Sequence, residues 1–202
     1  MMLPSPHTDK YFQEVLEIAQ LCNNKEFIAK VSSISRFLWD VRDSKGRVFV
    51  LGVGGSAGNA SHMVNDLRKL CGIEAYSPVD NVSELTARTN DDGFETVFSE
   101  WLRTSKLNHT DAVLFLSVGG GSKERGISVN LINALDLAKV RGAFTIGIVG
   151  KADGYIAKNA DIALVVPSVN PDRITPHSEA FQSIIWHCFV SNPYLQVRKT
   201  TW

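Results

Sequence analysis

The chain has 202 residues, 44% hydrophobic and 21% charged, with 21 Lys and Arg balanced by 21 Asp and Glu. Such a length and apolar content suffice for one substantial core, and the charge balance excludes a global attraction to nucleic acid or to an anionic membrane, so any anion site must be local. Three cysteines, Cys22, Cys71 and Cys188, without a CxxC pair argue against a disulfide framework or a thiolate zinc site and fit a reducing, cytoplasmic compartment; no signal-peptide pattern opens the chain, and no apolar run approaches the ~20 residues of a membrane span.

Over residues 8–41 apolar side chains recur at helical spacing, first Phe12, Val15, Ala19 and Cys22, then Phe27, Val31, Ile34, Leu38 and Val41, with Asn23-Asn24 between. This predicts a helical hairpin. After Asp43-Ser44-Lys45-Gly46, the run RVFVLGV at 47–53 is too short for a helix and rich in Val, as a buried parallel strand would be. Further strands are expected at 112–118, 144–149 and 162–166, with a weaker one at 74–76, and helices at 57–70, 94–102, 129–140 and 178–189. Strands alternating with helices predict an α/β fold, a three-layer sandwich with a five-stranded parallel sheet covered on both faces and the hairpin ahead of it. No repeat or linker divides the chain. A single domain is expected, with the hairpin at 1–45, the sandwich at 46–192 and a tail at 193–202.

The loop Gly52-Val53-Gly54-Gly55-Ser56-Ala57-Gly58 follows a strand and opens a helix, where bare backbone N–H groups and the positive end of the helix dipole can hold a phosphate. The same letters satisfy GxGxxA, the dinucleotide fingerprint, and Glu74 lies at roughly the ~20-residue offset of a ribose-binding acid. A nicotinamide enzyme is therefore a competitor, and a tight turn with no ligand is the bland alternative. The second loop, Ser117-Val118-Gly119-Gly120-Gly121-Ser122, repeats the arrangement after the next strong strand. Its two hydroxyls and three glycines suit several hydrogen bonds to one small anion, and the alternative is a flexible connection. In an open parallel sheet ligands collect beyond the carboxyl ends of the strands, where both loops should lie.

These loops, with Asn90-Asp91-Asp92-Gly93-Phe94 between them and Asp172-Arg173-Ile174 before a His-bearing helix, resemble the SIS (sugar isomerase) domain, specifically the phosphoheptose isomerases, over nearly the whole chain. The resemblance implies a flavodoxin-like sandwich and the isomerisation of sedoheptulose 7-phosphate to D-glycero-D-manno-heptose 7-phosphate. It also implies a homotetramer with active sites at subunit interfaces and a divalent metal, often zinc. The family's phosphosugar contacts fall on Val53, Gly54, Gly55, Ser56, Asn90, Asp91, Ser117, Val118, Gly119 and Ser122, and its metal positions on His62, Asp66, Glu179 and His187, with Glu179 also within reach of substrate. Departures from the family are Val53 for Asn, Asp66 for Glu, Glu179 for Gln, and two hydroxyls lost from the second loop.

His62 and Asp66 stand at i and i+4, so they share one helix face, opposite Ala60, Met63, Val64, Leu67 and Leu70. They form either a solvated pair beside Lys69 or a site that another subunit covers. Glu179 and His187 are eight residues apart, ~12 Å of rise on one helix, so either that helix starts after Glu179 or the two act from different chains. His187 also reads as a core histidine, and His177 is a rival ligand. Aldose-ketose isomerisation needs a base for a proton next to a carbonyl and an acid for the neighbouring oxygen. Asp66 is assigned as base and His187 as its acid partner, with the metal as Lewis acid and Ser56, Ser117 and Ser122 on the phosphate. A SIS module that binds a phosphosugar or a protein partner without turnover is the alternative that the lost hydroxyls favour.

Overall fold

In the computed structural model, which describes residues 5–199, five strands pair in parallel. They are β1 (Arg47–Gly52), β2 (Glu74–Tyr76), β3 (Ala112–Ser117), β4 (Phe144–Val149) and β5 (Ile162–Val165), in the order β2-β1-β3-β4-β5. Residues 1–4 of the expected hairpin segment and 200–202 of the expected tail lie outside the described residues. The helices are α1 (Pro6–Cys22), α2 (Lys25–Asp43), α3 (Gly55–Lys69), α4 (Val82–Asp92), α5 (Val97–Thr104), α6 (Val129–Val140), α7 (Tyr155–Asn159) and α8 (Ile174–Val190).

Side chains of a strand point alternately to its two faces, and here both sets are apolar. Val48, Val50, Leu114, Leu116, Ile146 and Ile148 pack with Leu38 of α2, Met63 and Leu67 of α3, and Trp186 and Phe189 of α8. Phe49, Leu51, Val113 and Phe115 pack on the other side with Phe98 of α5, Leu135 of α6 and Ile156 of α7. A sheet buried on both faces has no use for polar alternation, which is why its strands read as continuous apolar runs. Full burial of each such side chain contributes about 1.5–3 kcal/mol. The three layers and the five-stranded sheet are those expected from the sequence.

The hairpin forms where Asn24 caps α2, its side chain accepting from Phe27 N at 3.0 Å. Two helices were not expected. The longer, α4, has no buried residue; Asn81 caps it by accepting from Glu84 N. Its polar sequence carries no apolar stripe to announce it, and Asn90 and Asp91 consequently ride on its last turn rather than in a loop. The first strand continues to β3 on one side and to β2 on the other, so the sheet's topological switch lies between β1 and β3. The crevice at such a switch is where open α/β sheets bind ligands.

Candidate active site

Both glycine and serine loops leave the carboxyl ends of the two strands that flank the switch. In the first, Gly54 adopts a left-handed φ of 64°, and no side chain caps the start of α3. Val53, Gly54 and Gly55 are exposed, whereas Ser56 is buried with a hydroxyl that has no hydrogen-bond partner among the described residues. A helix start without a side-chain cap and an orphan hydroxyl beside it suit an anion. The fingerprint for a dinucleotide loses its acid, because Glu74 is the first residue of β2, paired in register with Arg47. That is the amino end of the strands, opposite the end that carries the loops.

The second loop is tied down from below. Gly120 O and Gly121 O accept from Ile156 N at 2.8 Å and Tyr155 N at 2.9 Å of α7, and Ser117 Oγ accepts from Gly120 N at 3.0 Å. Val118 and Gly119 stay part-exposed at its rim. Ser122 does not begin the next helix. It pairs with Ile127 in an antiparallel bridge that closes a turn through Lys123–Gly126, and its hydroxyl accepts from Arg125 N at 3.3 Å. The chain reaches α6 only at Ser128, in a left-handed conformation with φ 51° and no side-chain cap bond. Beside it Asn130 is buried, and its Nδ2 has no hydrogen-bond partner among the described residues. These two residues line a cleft of about 410 Å³ with Val53 and Phe94. Sequence reasoning missed both, although a serine directly before a predicted helix start is a capping signal.

On α3, Met63, Val64 and Leu67 face the core while His62 and Asp66 project from the other side, as their spacing requires. Helix α8 brings His187 to them. The nearest Asp66 oxygen, Oδ2, lies 3.8 Å from His62 Nε2 and 3.9 Å from His187 Nε2. The other, Oδ1, accepts from the Asn65 amide at 2.8 Å. His187 Nδ1 donates to Ser183 O at 2.8 Å, which fixes the tautomer and leaves Nε2 free to act as a ligand. All three donor atoms fall within 4.8 Å of one another. Two imidazoles and a carboxylate are the donor set of a catalytic zinc or a similar divalent cation with a position left for substrate. The residues therefore fit the metal that the resemblance implies. The alternative of a core histidine fails for His187, whose side chain is 47% exposed, as is His62 at 55%, above a cleft of about 750 Å³.

Two expectations are corrected. Helix α8 runs unbroken from Ile174 to Val190, so it does not start after Glu179, and Glu179 is held ~12 Å along the helix from His187. Its carboxylate instead covers Gly55, where an added Cβ would collide with it. Within one chain, Glu179 belongs with the first loop. His177 is no rival ligand either, since it faces away into the core and bonds to Glu14 at 2.9 Å. Asn90 and Asp91 are exposed, with the Asn90 amide donating to Asp91 Oδ1 at 2.8 Å.

No family model matches the sequence. It is 34% identical over 175 residues to a phosphoheptose isomerase of Sulfurimonas denitrificans, covering 82% of this chain and 86% of that protein. The chain belongs to the phosphoheptose isomerase family. Another phosphoheptose isomerase, from Geobacter sulfurreducens, is 30% identical over 167 residues, with 80% of this chain and 82% of that one covered. The lincomycin biosynthesis protein LmbN of Streptomyces lincolnensis is 32% identical over 159 residues, 76% of this chain, and the chain spans 58% of that longer protein. Among solved structures, phosphoheptose isomerases of Neisseria gonorrhoeae and Francisella tularensis superpose with TM-scores of 0.79 and 0.81. They cover 91% and 94% of this chain, and 95% and 97% of their own, at 24% and 22% identity. That structural likeness establishes the SIS fold of this member of the family.

Proposed function

We propose that the chain isomerises a ketose phosphate to an aldose phosphate, with sedoheptulose 7-phosphate as substrate and D-glycero-D-manno-heptose 7-phosphate as product. The observation that carries this is the convergence of His62, Asp66 and His187 from two helices in a member of this family. The phosphate binds at the switch crevice, held by loop amides and by Ser56, Ser117, Ser122 and Ser128, where fixed dipoles replace water without a basic surface. Asp66 takes the proton from the carbon next to the carbonyl and delivers it to the former carbonyl carbon. His187, its Nδ1 proton committed to Ser183, presents Nε2 for the proton that moves on or off the neighbouring oxygen. A divalent metal, zinc as in the family, would be held by His62 and Asp66, joined by His187 whenever its Nε2 carries no proton, and would supply Lewis-acid stabilisation of charge on the substrate oxygens.

His62 lies seven residues after Gly55, about 10 Å along α3, and its face is open. We infer that a neighbouring subunit of a homotetramer covers that face and completes the site, with Glu179 and the Asn90-Asp91 pair reaching substrate there. The whole chain would work as one domain in the cytoplasm; among the described residues no helix is long and apolar enough to cross a membrane. Two departures from the family favour binding without turnover, the hydroxyls lost from the second loop and the shorter carboxylate of Asp66. Metal content and ketose-to-aldose conversion, measured on the same preparation, separate the two: a binding module holds the sugar phosphate and returns it unchanged.

A further inference from the structure

Glu14 joins α1 to the start of α8. Its buried carboxylate accepts three hydrogen bonds, to Oε1 from Asn170 Nδ2 at 2.8 Å and to Oε2 from Arg173 Nη1 and His177 Nε2 at 2.9 Å each. The Tyr11 ring, one turn earlier on α1, lies 4.7 Å from the His177 ring, and Arg173 also reaches His7 Nδ1 at 3.2 Å. Every partner of this one carboxylate lies in the segment that leaves β5, makes the 3-10 turn Pro171–Arg173 and enters α8. The His177 hydrogen bond above all, opposed by burial and reinforced by Asn170 and Arg173, holds the Glu14 carboxyl down at about 2. The reaction proposed above uses none of these groups.

Just beyond His177, α8 meets both loops. The Ser178 hydroxyl fills the space that a Cβ at Gly150 would need, next to the Val118 carbonyl, and the Glu179 carboxylate covers Gly55. Asn59 Nδ2, from the first turns of α3, donates to Glu179 O at 2.9 Å and to Gln182 Oε1 at 3.1 Å. The opening turns of α8 are thus wedged between the two loops, and the carboxylate of Glu14 grips that wedge from behind. A buried carboxylate with three donors is a stiff joint, because losing it strands each donor away from water.

We propose that Glu14 is a positioning residue for phosphosugar binding, seating the turn of α8 that carries Ser178 and Glu179 against Gly150 and Gly55. The proposal rests on the loops being the phosphosugar site. It gives α1 a part in the site beyond any part in assembly.

The test compares Glu14→Ala and Glu14→Gln with Ile18→Val, which trims the core contact of the same helix without touching the joint. Melting temperature, metal content, the KM and kcat for sedoheptulose 7-phosphate, and the Kd for inorganic phosphate are measured on each. Glu14→Ala should raise KM and the phosphate Kd on the order of tenfold, with kcat and metal content near wild type, and Glu14→Gln should fall between. Ile18→Val should lower the melting temperature and leave both constants unchanged. Should Glu14→Ala fail to fold, Glu14→Gln against Ile18→Val decides. Glu14 variants that melt earlier yet keep the wild-type KM and phosphate affinity overturn the positioning role alone. A wild-type protein that neither binds phosphate nor turns over the sugar overturns the function on which it rests.

Discussion

Asp66 Oδ2 lies 3.9 Å from His187 Nε2, which joins a residue of α3 to one of α8 across the face where His62 also projects. Three side chains of ligand type thus converge from two helices, as a prebuilt site requires. Asp66→Asn keeps size and polarity but removes the base, and should lower turnover by a factor on the order of 10²–10⁴. His62→Ala should first lower metal content, since a carboxylate with one imidazole is a poorer site than one with two. Metal analysis and steady-state kinetics on the two variants check this, and full activity in Asp66→Asn would contradict the assignment of the base.

The phosphate end makes a separate prediction. The Ser122 oxygen accepts from Arg125 N, which restricts where its O–H can turn, while Ser128 has no side-chain cap bond at the start of α6. A hydrogen bond to a charged group is worth about 1.5–3 kcal/mol. Ser128→Ala should therefore weaken phosphosugar binding by about 10-fold or more, and Ser122→Ala by less, both at little cost in melting temperature. Calorimetric titration of the two variants measures the order, and the reverse order would move the anion away from α6.

Much of this architecture is legible in the sequence, for reasons that differ from element to element. The strands announce themselves because both of their faces are buried, and α6 because its run is densely apolar. Helix α4 carries no buried side chain, so periodicity has nothing to report. That His62 and Asp66 share one face follows from helical spacing, whereas their reading as metal ligands comes from the family resemblance. That His187 joins them while Glu179 turns to Gly55 depends on how α8 crosses α3, and no local pattern encodes a crossing. The hairpin turn between Ser122 and Ile127 likewise hid Ser128, because it displaces the helix start from the glycine run.

Away from the site, Asp111 is buried and holds together the entry to β1. It accepts from Arg47 N at 3.0 Å, Arg47 Nη2 at 2.8 Å and Asn108 N at 3.0 Å. Asp111→Ala leaves those donors unpaired and should cost about 3–5 kcal/mol, which in a chain of this size lowers the melting temperature on the order of 10 °C. Thermal unfolding measures it, and a shift of only one or two degrees would mean that water replaces the carboxylate freely.

Glu14 links stability to pH. Its carboxyl is held down to about 2 in the folded protein, against 4.5 ordinarily, so the unfolded chain binds the proton more readily. The stabilisation is complete above about 4.5 and is lost as pH falls toward 2. Urea unfolding between pH 5 and pH 2.5 should show wild type losing more stability than Glu14→Gln, which carries no titrating group there. Parallel losses in the two would remove Glu14 as the origin.

Phe12 and Leu16 of α1 and Ile184 of α8 are large apolar side chains left more than half exposed, as an assembly surface would be. Sedimentation at micromolar concentration should show a tetramer, and Leu16→Glu should shift it toward smaller species. A wild-type monomer under those conditions would contradict the interfacial site.

The central claim is that the chain isomerises a phosphosugar by proton transfer between Asp66 and His187. It is tested most directly by incubating metal-loaded protein with sedoheptulose 7-phosphate and following the aldose phosphate by chromatography or nuclear magnetic resonance. The product should be D-glycero-D-manno-heptose 7-phosphate, with solvent deuterium entering at the former carbonyl carbon, which receives the proton after Asp66 has exchanged it with water. Quantitative recovery of unchanged ketose, with no deuterium incorporated at full metal loading, would contradict it.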